Sequence, residues 1–351
     1  MFLDSLLSTI QPLDEAAMCS AQARQDSLTK PRGSLGRLEE LSIQLAGMTA
    51  NPLPTVERKV VIVMAADHGV TREAVSAYPA EVTPQMVLNF LHGGAAINVL
   101  AKQAGARVVV VDMGVAVEVA DASGRLIQRR VGAGTANLAQ GPAMRREQAQ
   151  ESIQSGIEVA EMEIAHGVDI LATGDMGIGN TTASAAIACA LMNEPPERIA
   201  GRGTGVDDAG LKRKISMIVR ALEVNQPNAN DALDVLAKVG GFEIGGLAGV
   251  MLSAAANRKP VLVDGFISTA AAMIAASLAP AARNYMIAAH ASQERGHRLM
   301  LEWLGLNPLL DMNLRLGEGT GAALAFHLIE ASTRILREMA TFGEAGVSDK
   351  E

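Results

Sequence analysis

Five short apolar runs, each closing on a polar turn, constrain this chain more than any other feature. Residues 59–66 run into Asp67-His68-Gly69, and 107–111 run into Asp112-Met113-Gly114. Residues 168–173 run into Gly174-Asp175, 260–263 into Asp264-Gly265-Phe266, and 285–289 into His290. Continuous apolar strands suit a parallel sheet buried on both faces. Helix-compatible patterns lie between them, at 84–104, 145–166, 181–192, 211–225, 231–238, 244–256 and 268–277. The alternation predicts an α/β fold, a mostly parallel Rossmann-like sheet flanked by helices. Ligands of such sheets bind outside the carboxyl ends of the strands. Asp67, His68, Asp112, Asp175, Asp264 and His290 are therefore candidate site residues, and several of them are expected to be turn or cap residues instead.

The length of 351 residues suits two domains of roughly 150 residues each, or one large α/β domain with an appendage. Residues 55–290 hold all the strand-like runs. Residues 4–50 read as helices, with Asp4 or Ser5 as a first cap and Leu35, Leu38, Leu41 and Leu45 at helical spacing. The chain reads as helical again after Leu316. Segments 1–54 and 291–342 are accordingly expected to form a small helical domain from the two chain ends. The polar tail, 343–351, is expected to be disordered.

Composition excludes several classes. A net charge of −8 and a pI near 5.4 argue against general nucleic-acid binding, which needs a basic face. They leave room for a small anionic ligand, because backbone N–H groups bind phosphate without excess Lys or Arg. Two cysteines, Cys19 and Cys189, allow neither a disulfide framework nor a Cys-type zinc site, which points to the reducing cytoplasm. The N-terminus lacks the basic stretch of a signal peptide. The most apolar segment, 266–282, is short for a bilayer and reads as a buried helix rather than a membrane span. The six histidines show no ligand spacing and no strand ends in an acidic pair, so neither a bound metal nor a cofactor is expected.

Four stretches bear on chemistry. Gly174-Asp175-Met176-Gly177-Ile178-Gly179-Asn180-Thr181-Thr182 joins a strand to a helix through glycines. Free N–H groups and the positive end of the helix dipole meet there, as in a phosphate cradle. A tight turn with a good N-cap is the structural alternative. Gly-Lys occurs nowhere, so the loop is not a Walker P-loop. An acid at 175 would repel a phosphate, and suits a ribose hydroxyl, a second base or a plain turn.

Gly201-Arg202-Gly203-Thr204-Gly205 precedes Asp207-Asp208 and then Lys212, Arg213 and Lys214. One of these cations reaching a phosphate, or a solvated basic face, fits equally. Between Ala65 and Ala96, Tyr78 and Met86 could line a flat apolar ligand, with Gln85 beside Met86; ordinary packing is the alternative. Finally, Arg315-Leu316-Gly317-Glu318-Gly319-Thr320-Gly321 sets one carboxylate among glycines at the start of an apolar run. Glu318 is either a helix-start residue suited to the dipole or a placed acid/base. The loop formally fits G-x-G-x-x-A, but no strand follows, which disfavours a dinucleotide fingerprint and a dehydrogenase. A non-catalytic nucleotide-binding protein is the remaining rival; it would bind its nucleotide without releasing a product.

Seven stretches taken together resemble one family, the nicotinate-nucleotide–dimethylbenzimidazole phosphoribosyltransferases. They are K-P-R-G-S-L-G-R-L-E from Lys30, A-D-H-G-V from Ala66, G-D-M-G-I-G-N-T-T from Gly174, N-Q-P-N from Asn225, K-V-G-G-F-E-I from Lys238, V-L-V-D-G-F from Val261 and R-L-G-E-G-T-G-A-A-L-A from Arg315. They occur in the family's order across nearly the whole chain, with Arg32 where relatives commonly carry a second proline. The resemblance implies transfer of the 5-phosphoribosyl group of nicotinate mononucleotide to 5,6-dimethylbenzimidazole, with inversion at C1′. It places the general base at Glu318, with Asp175 as the second acid. It places the phosphate and ribose at Gly177, Ile178, Gly179, Asn180, Thr181, Gly203, Lys214 and Asp264. The base pocket falls at Tyr78, Gln85, Met86 and Leu316. The resemblance also implies a homodimer with small-molecule substrates and no cofactor.

Overall fold

The computed structural model describes residues 2–121 and 123–348. Six strands form one sheet: β1 (Lys59–Ala66), β2 (Ala106–Gly114), β3 (Leu126–Gln128), β4 (Ile170–Met176), β5 (Val261–Val263) and β6 (Met286–Ala288). Every pairing is parallel, in the order β3-β2-β1-β4-β5-β6. The expected α/β sheet is therefore present. Each of the eight residues of β1 is buried, as an apolar run at the centre of a doubly covered sheet should be. The order reverses between β1 and β4, where β1 is paired to both β2 and β4. A crevice opens at such a reversal, and ligands of open α/β sheets bind there.

β3 was not legible from apolar pattern. It is three residues long, bounded by Arg125 and Arg129, and adds to the edge through Val110↔Leu126 and Asp112↔Gln128. Its entry turn is held by Asp121, whose carboxylate accepts from the amides of Ser123, Arg125 and Leu126. The expected helix at 84–104 is in fact two, Val82–His92 and Ala96–Gln103. They part at Gly93, which takes φ 80° and closes the first helix on the Asn89 and Phe90 carbonyls.

Helices from the two chain ends meet. Helices Glu15–Ser27 and Arg37–Thr49 pack against Thr320–Glu338. Arg24 clamps the end of that helix, donating to the carbonyls of Leu336 at 2.6 Å and Arg337 at 3.1 Å. The same helix also lies on β1, β4 and β5, and Glu330 pairs with Lys59 at 2.6 Å. Residues 291–316 pack elsewhere as well. They run beside β6, with Ala291 donating to Leu310 O, and the helix His297–Leu304 packs on Phe266–Leu278. The tail begins as a short helix, Phe342–Ala345, capped by Thr341, and 349–351 lie outside the described residues. No helix among the described residues is long and apolar enough to cross a membrane. The helix Phe266–Leu278 is buried, as expected of that segment.

Candidate active site

The loops after β4, β5 and β6 converge with segments 201–204 and 313–318 on a cavity of about 670 Å³. It lies at the carboxyl end of β4, beside the sheet's reversal. Asp175, Gly177, Ile178, Asn180, Thr181, Gly203, Tyr78, Met86, Leu316 and Glu318 all line it.

Glu318 does not cap the helix that follows it. Gly317, Glu318 and Gly319 take φ of 84°, 63° and 91°, three left-handed residues in a row. A non-glycine residue held there is uncommon, and such strain gathers at functional sites. Asp264 at the end of β5 caps the following helix instead of Glu318. Its carboxylate accepts from Gly319 N at 3.2 Å and Ala322 N at 2.9 Å. Glu318 is thus released from capping. Its side chain is buried, and Oε2 has no hydrogen-bond partner in the structure. Burial makes the Glu318 carboxyl more basic than an ordinary glutamate. The Ile97 amide, at the start of the second helix after the Gly93 break, pulls the other way, while Asp264 adds to the rise. The turn rests on β4: a side chain at Gly174 would run into the Glu318 carbonyl.

Asp175 is buried beside this turn. Oδ2 accepts from Asn180 Nδ2 at 3.0 Å, and Oδ1 has no partner. Burial, then Asp264 and Glu243, push its carboxyl well above the usual carboxylate range. Asp264, which the resemblance placed with the ribose and phosphate, does not line the cavity; its two oxygens accept amides of the Glu318 turn and of the helix that follows it.

Another part of the cavity gathers cations beside Thr181 and Gly203. Lys214 is only 2% exposed, and its Nζ donates to Thr181 Oγ1 at 3.0 Å. Burial lowers the Lys214 pKa, and Glu294 opposes the fall. Arg315 lines the same wall and donates from Nη1 to the Gly203 carbonyl at 3.2 Å. The glycine turn after β4 contributes less of its backbone than its sequence suggests. The Ile178 amide is taken by Thr83 Oγ1 at 3.1 Å, and the Asn180 amide by the Gly177 carbonyl at 3.1 Å. Gly179, with φ 96°, caps the helix Asn180–Met192 from behind the wall. Lys214 likewise acts from behind Thr181.

At the mouth, Tyr78 is 55% and Leu316 58% exposed, with Val82 and Met86 deeper. Val82 and Met86 are four residues apart and share one helix face. Gln85 is exposed and off the wall, since consecutive helix residues diverge by about 100°. The strand-end acids of β1 and β2 are turn residues. Asp67 accepts from Ala116 N at 2.8 Å, and Asp112 from Gly114 N and Val115 N.

Several residues that the sequence did not single out, Glu243, Thr269, Ser292 and His297 among them, support the site, together with the strand-end candidate His68. His68 and Glu243 form a fully buried pair at 2.6 Å behind the Gly177 turn. Burial lowers the His68 pKa, but Glu243 more than offsets this, so the ring's affinity for a proton is raised. His297 accepts from Ser292 N at Nδ1, 2.8 Å away, so its Nε2–H donates to Thr269 Oγ1 at 2.9 Å. Burial holds this ring neutral, with its pKa lowered to about 3. Thr269 passes the chain on to the Gly265 carbonyl at 2.8 Å. Two cavity-lining residues, Ser292 and Gly265, are thereby fixed. Only membership of the G-G-F-E and V-D-G-F stretches hinted at Glu243 and Gly265. Among the described residues no three His, Cys, Asp or Glu side chains gather as a metal ion would require.

A parallel sheet in this order, cations gathered beside its crevice and a buried carboxylate near an apolar mouth are the features of an α/β-class group-transfer enzyme. Residues 10–347 match the family model described as Phosphoribosyltransferase, and the chain belongs to that family. A relative from Roseiflexus sp. (strain RS-1), named nicotinate-nucleotide–dimethylbenzimidazole phosphoribosyltransferase, is 62% identical over 348 residues, covering 99% of this chain and 98% of the relative. One of the same name from Chloroflexus aggregans (strain MD-66 / DSM 9485) is 60% identical over 349 residues, covering 99% of each. The crystal structure of CobT from Thermus thermophilus superposes with a TM-score of 0.92 at 50% identity, covering 95% of this chain and 100% of that one.

Proposed function

We propose that the protein transfers the 5-phosphoribosyl group of nicotinate mononucleotide to 5,6-dimethylbenzimidazole, with Glu318 as general base and inversion at C1′. The observation that carries this reading is the Glu318 carboxylate, buried on the cavity wall with Oε2 free of any hydrogen-bond partner, while Asp264 caps the adjoining helix. A benzimidazole that attacks C1′ through one ring nitrogen becomes cationic unless its N–H proton leaves. A carboxylate made more basic by burial accepts that proton, a contribution of about 10²–10⁴-fold. Nicotinate departs with the electrons of the C1′–N bond, which turns a pyridinium into a neutral ring nitrogen and calls for no electrophile on the leaving group. Thr181, Lys214, Gly203 and Arg315 hold the phosphate, and this remote binding positions the sugar carbon. Attack from the side of Glu318, opposite the departing ring, inverts C1′. The partly exposed Tyr78 and Leu316, with Val82 and Met86, suit a flat apolar acceptor.

The glycine fingerprint of a dinucleotide-binding sheet follows its first strand. Here β1 runs into Asp67-His68-Gly69, and the glycine-rich turn follows β4. That placement favours a mononucleotide donor over a dinucleotide cofactor. The test is incubation with nicotinate mononucleotide and dimethylbenzimidazole, with products separated and their anomeric configuration read by NMR. Nicotinate with the α-riboside phosphate is expected. Binding of the mononucleotide without nicotinate release, or a β-riboside product, overturns the reading.

A further inference from the structure

The anion end of the cavity already contains an anion. Glu294 lines the wall, is buried, and leaves Oε2 without a hydrogen-bond partner. Its carboxylate takes the Gly203 amide and faces two cations, Lys214 and Arg315. Those are the donors that the proposed function gives to the mononucleotide's phosphate. Gly201 supplies the room, since a side chain there would collide with Glu294 Oε2.

We propose that Glu294 is the resident counter-anion of the phosphate subsite, and that an incoming phosphate discharges it by drawing one proton from solvent onto its carboxyl. Two anions cannot share these two cations at the buried Glu294 and Lys214 without strong repulsion. A protonated Glu294 stops repelling the phosphate and gains an O–H to donate to it. Burial already biases the carboxyl toward its proton, with Lys214 opposing.

The other charged groups nearby are otherwise engaged. From the helix Asp208–Asn225 only Lys214 is turned to Glu294. In the 201–204 segment, Arg202 pairs with Asp208. On its own segment, Arg295 donates to the Glu197 carbonyl and His297 is held neutral, while His290 faces Asp264. From the helix Pro196–Ile199, Arg198 pairs with Glu194. Thr181 contributes a hydroxyl alone.

This inference rests on the phosphate end of the proposed function and not on its acceptor chemistry. The experiment is calorimetric titration of the full chain with nicotinate mononucleotide, without acceptor, in two buffers of different ionisation enthalpy at pH 8. A phosphate monoester, with a second pKa of about 6, is then a dianion and releases no proton of its own. About one proton taken up per ligand is expected, with affinity falling up to about tenfold per pH unit above the Glu294 titration. Nicotinate riboside, which lacks the phosphate, should bind with no uptake. Glu294→Gln should abolish uptake and bind the mononucleotide about tenfold or more tightly at pH 9. Glu294→Asp, which keeps the charge, should retain uptake. No uptake by the wild type overturns the inference, whatever the variants do. So does uptake that persists in Glu294→Gln, which would make Lys214 the carrier. Weaker binding by Glu294→Gln also overturns it, by reducing Glu294 to a support for Lys214 and Arg315. Inorganic phosphate is the second probe. Proton uptake on phosphate in a protein that never releases nicotinate would keep this inference and remove the proposed reaction.

Discussion

The turn after β4 and the turn before the helix Thr320–Glu338 line one cavity, and both are glycine-rich. They use glycine for different ends. In the first, Gly177 to Gly179 brings Asn180 and Thr181 to the wall, while the amides of Ile178 and Asn180 are spent inside the protein. Its anion-binding capacity therefore comes mostly from side chains gathered around it. In the second, three consecutive left-handed residues turn a carboxylate inward, and Asp264 takes over the capping that this carboxylate would otherwise do. A glycine-rich helix start is thus ambiguous until the partner of each backbone amide is known.

If the two turns divide binding from chemistry, substitutions should separate KM from kcat. The largest effect is expected for Glu318→Gln. Turnover should fall about 10²–10⁴-fold, with mononucleotide affinity nearly kept. Steady-state kinetics beside a binding titration decides it, and near wild-type turnover would break the division. Gly174→Ala comes next, because its new methyl must push the Glu318 carbonyl away. Misplacing the base by an ångström should cost roughly 10²-fold in kcat. An unchanged kcat would show that the turn's position is not critical. Lys214→Ala should act on the other side. It removes a charge-assisted contact worth about 1.5–3 kcal/mol, which raises KM for the mononucleotide roughly 10- to 100-fold while kcat changes less. A loss confined to kcat would move Lys214 out of the phosphate end.

Asp264→Ala tests the capping that frees Glu318. Loss of an N-cap carboxylate should lower stability by about 1–2 kcal/mol, read from chemical denaturation, with a fall in kcat as the turn loosens. The smallest effect is a shift in the pH profile. Glu318 works as its carboxylate, and burial raises its pKa above the ordinary 4.5. Activity should therefore be lost as pH falls through a value above that of a free glutamate. An acid limb at or below the ordinary value would mean that Glu318 is not the titrating base.

Much of the sheet could be read from the chain because a buried parallel strand is a local apolar run, whichever neighbour it pairs with. β3 escaped because three residues on an edge need no such run. The break at Gly93-Gly94 escaped because apolar spacing continues through it. That mattered for the site, since the break turns the Ile97 amide toward Glu318. Gln85, which the resemblance placed in the base pocket, does not line the cavity, because it points about 100° away from Met86 on the same helix.

By itself the sequence determined the alternation of strands and helices, the glycine-rich turn after β4 and the lone carboxylate in the Gly317 turn. Each of these is a property of a few contiguous residues. Tertiary structure alone decided which acid does what. Asp67, Asp112, Asp175 and Asp264 end their strands alike in sequence. Their roles differ because the amides they meet lie up to 58 residues away, as from Asp264 to Ala322. Whether a carboxylate caps a helix or stays free depends on those partners and on exclusion from water, and neither is written in the residues beside it.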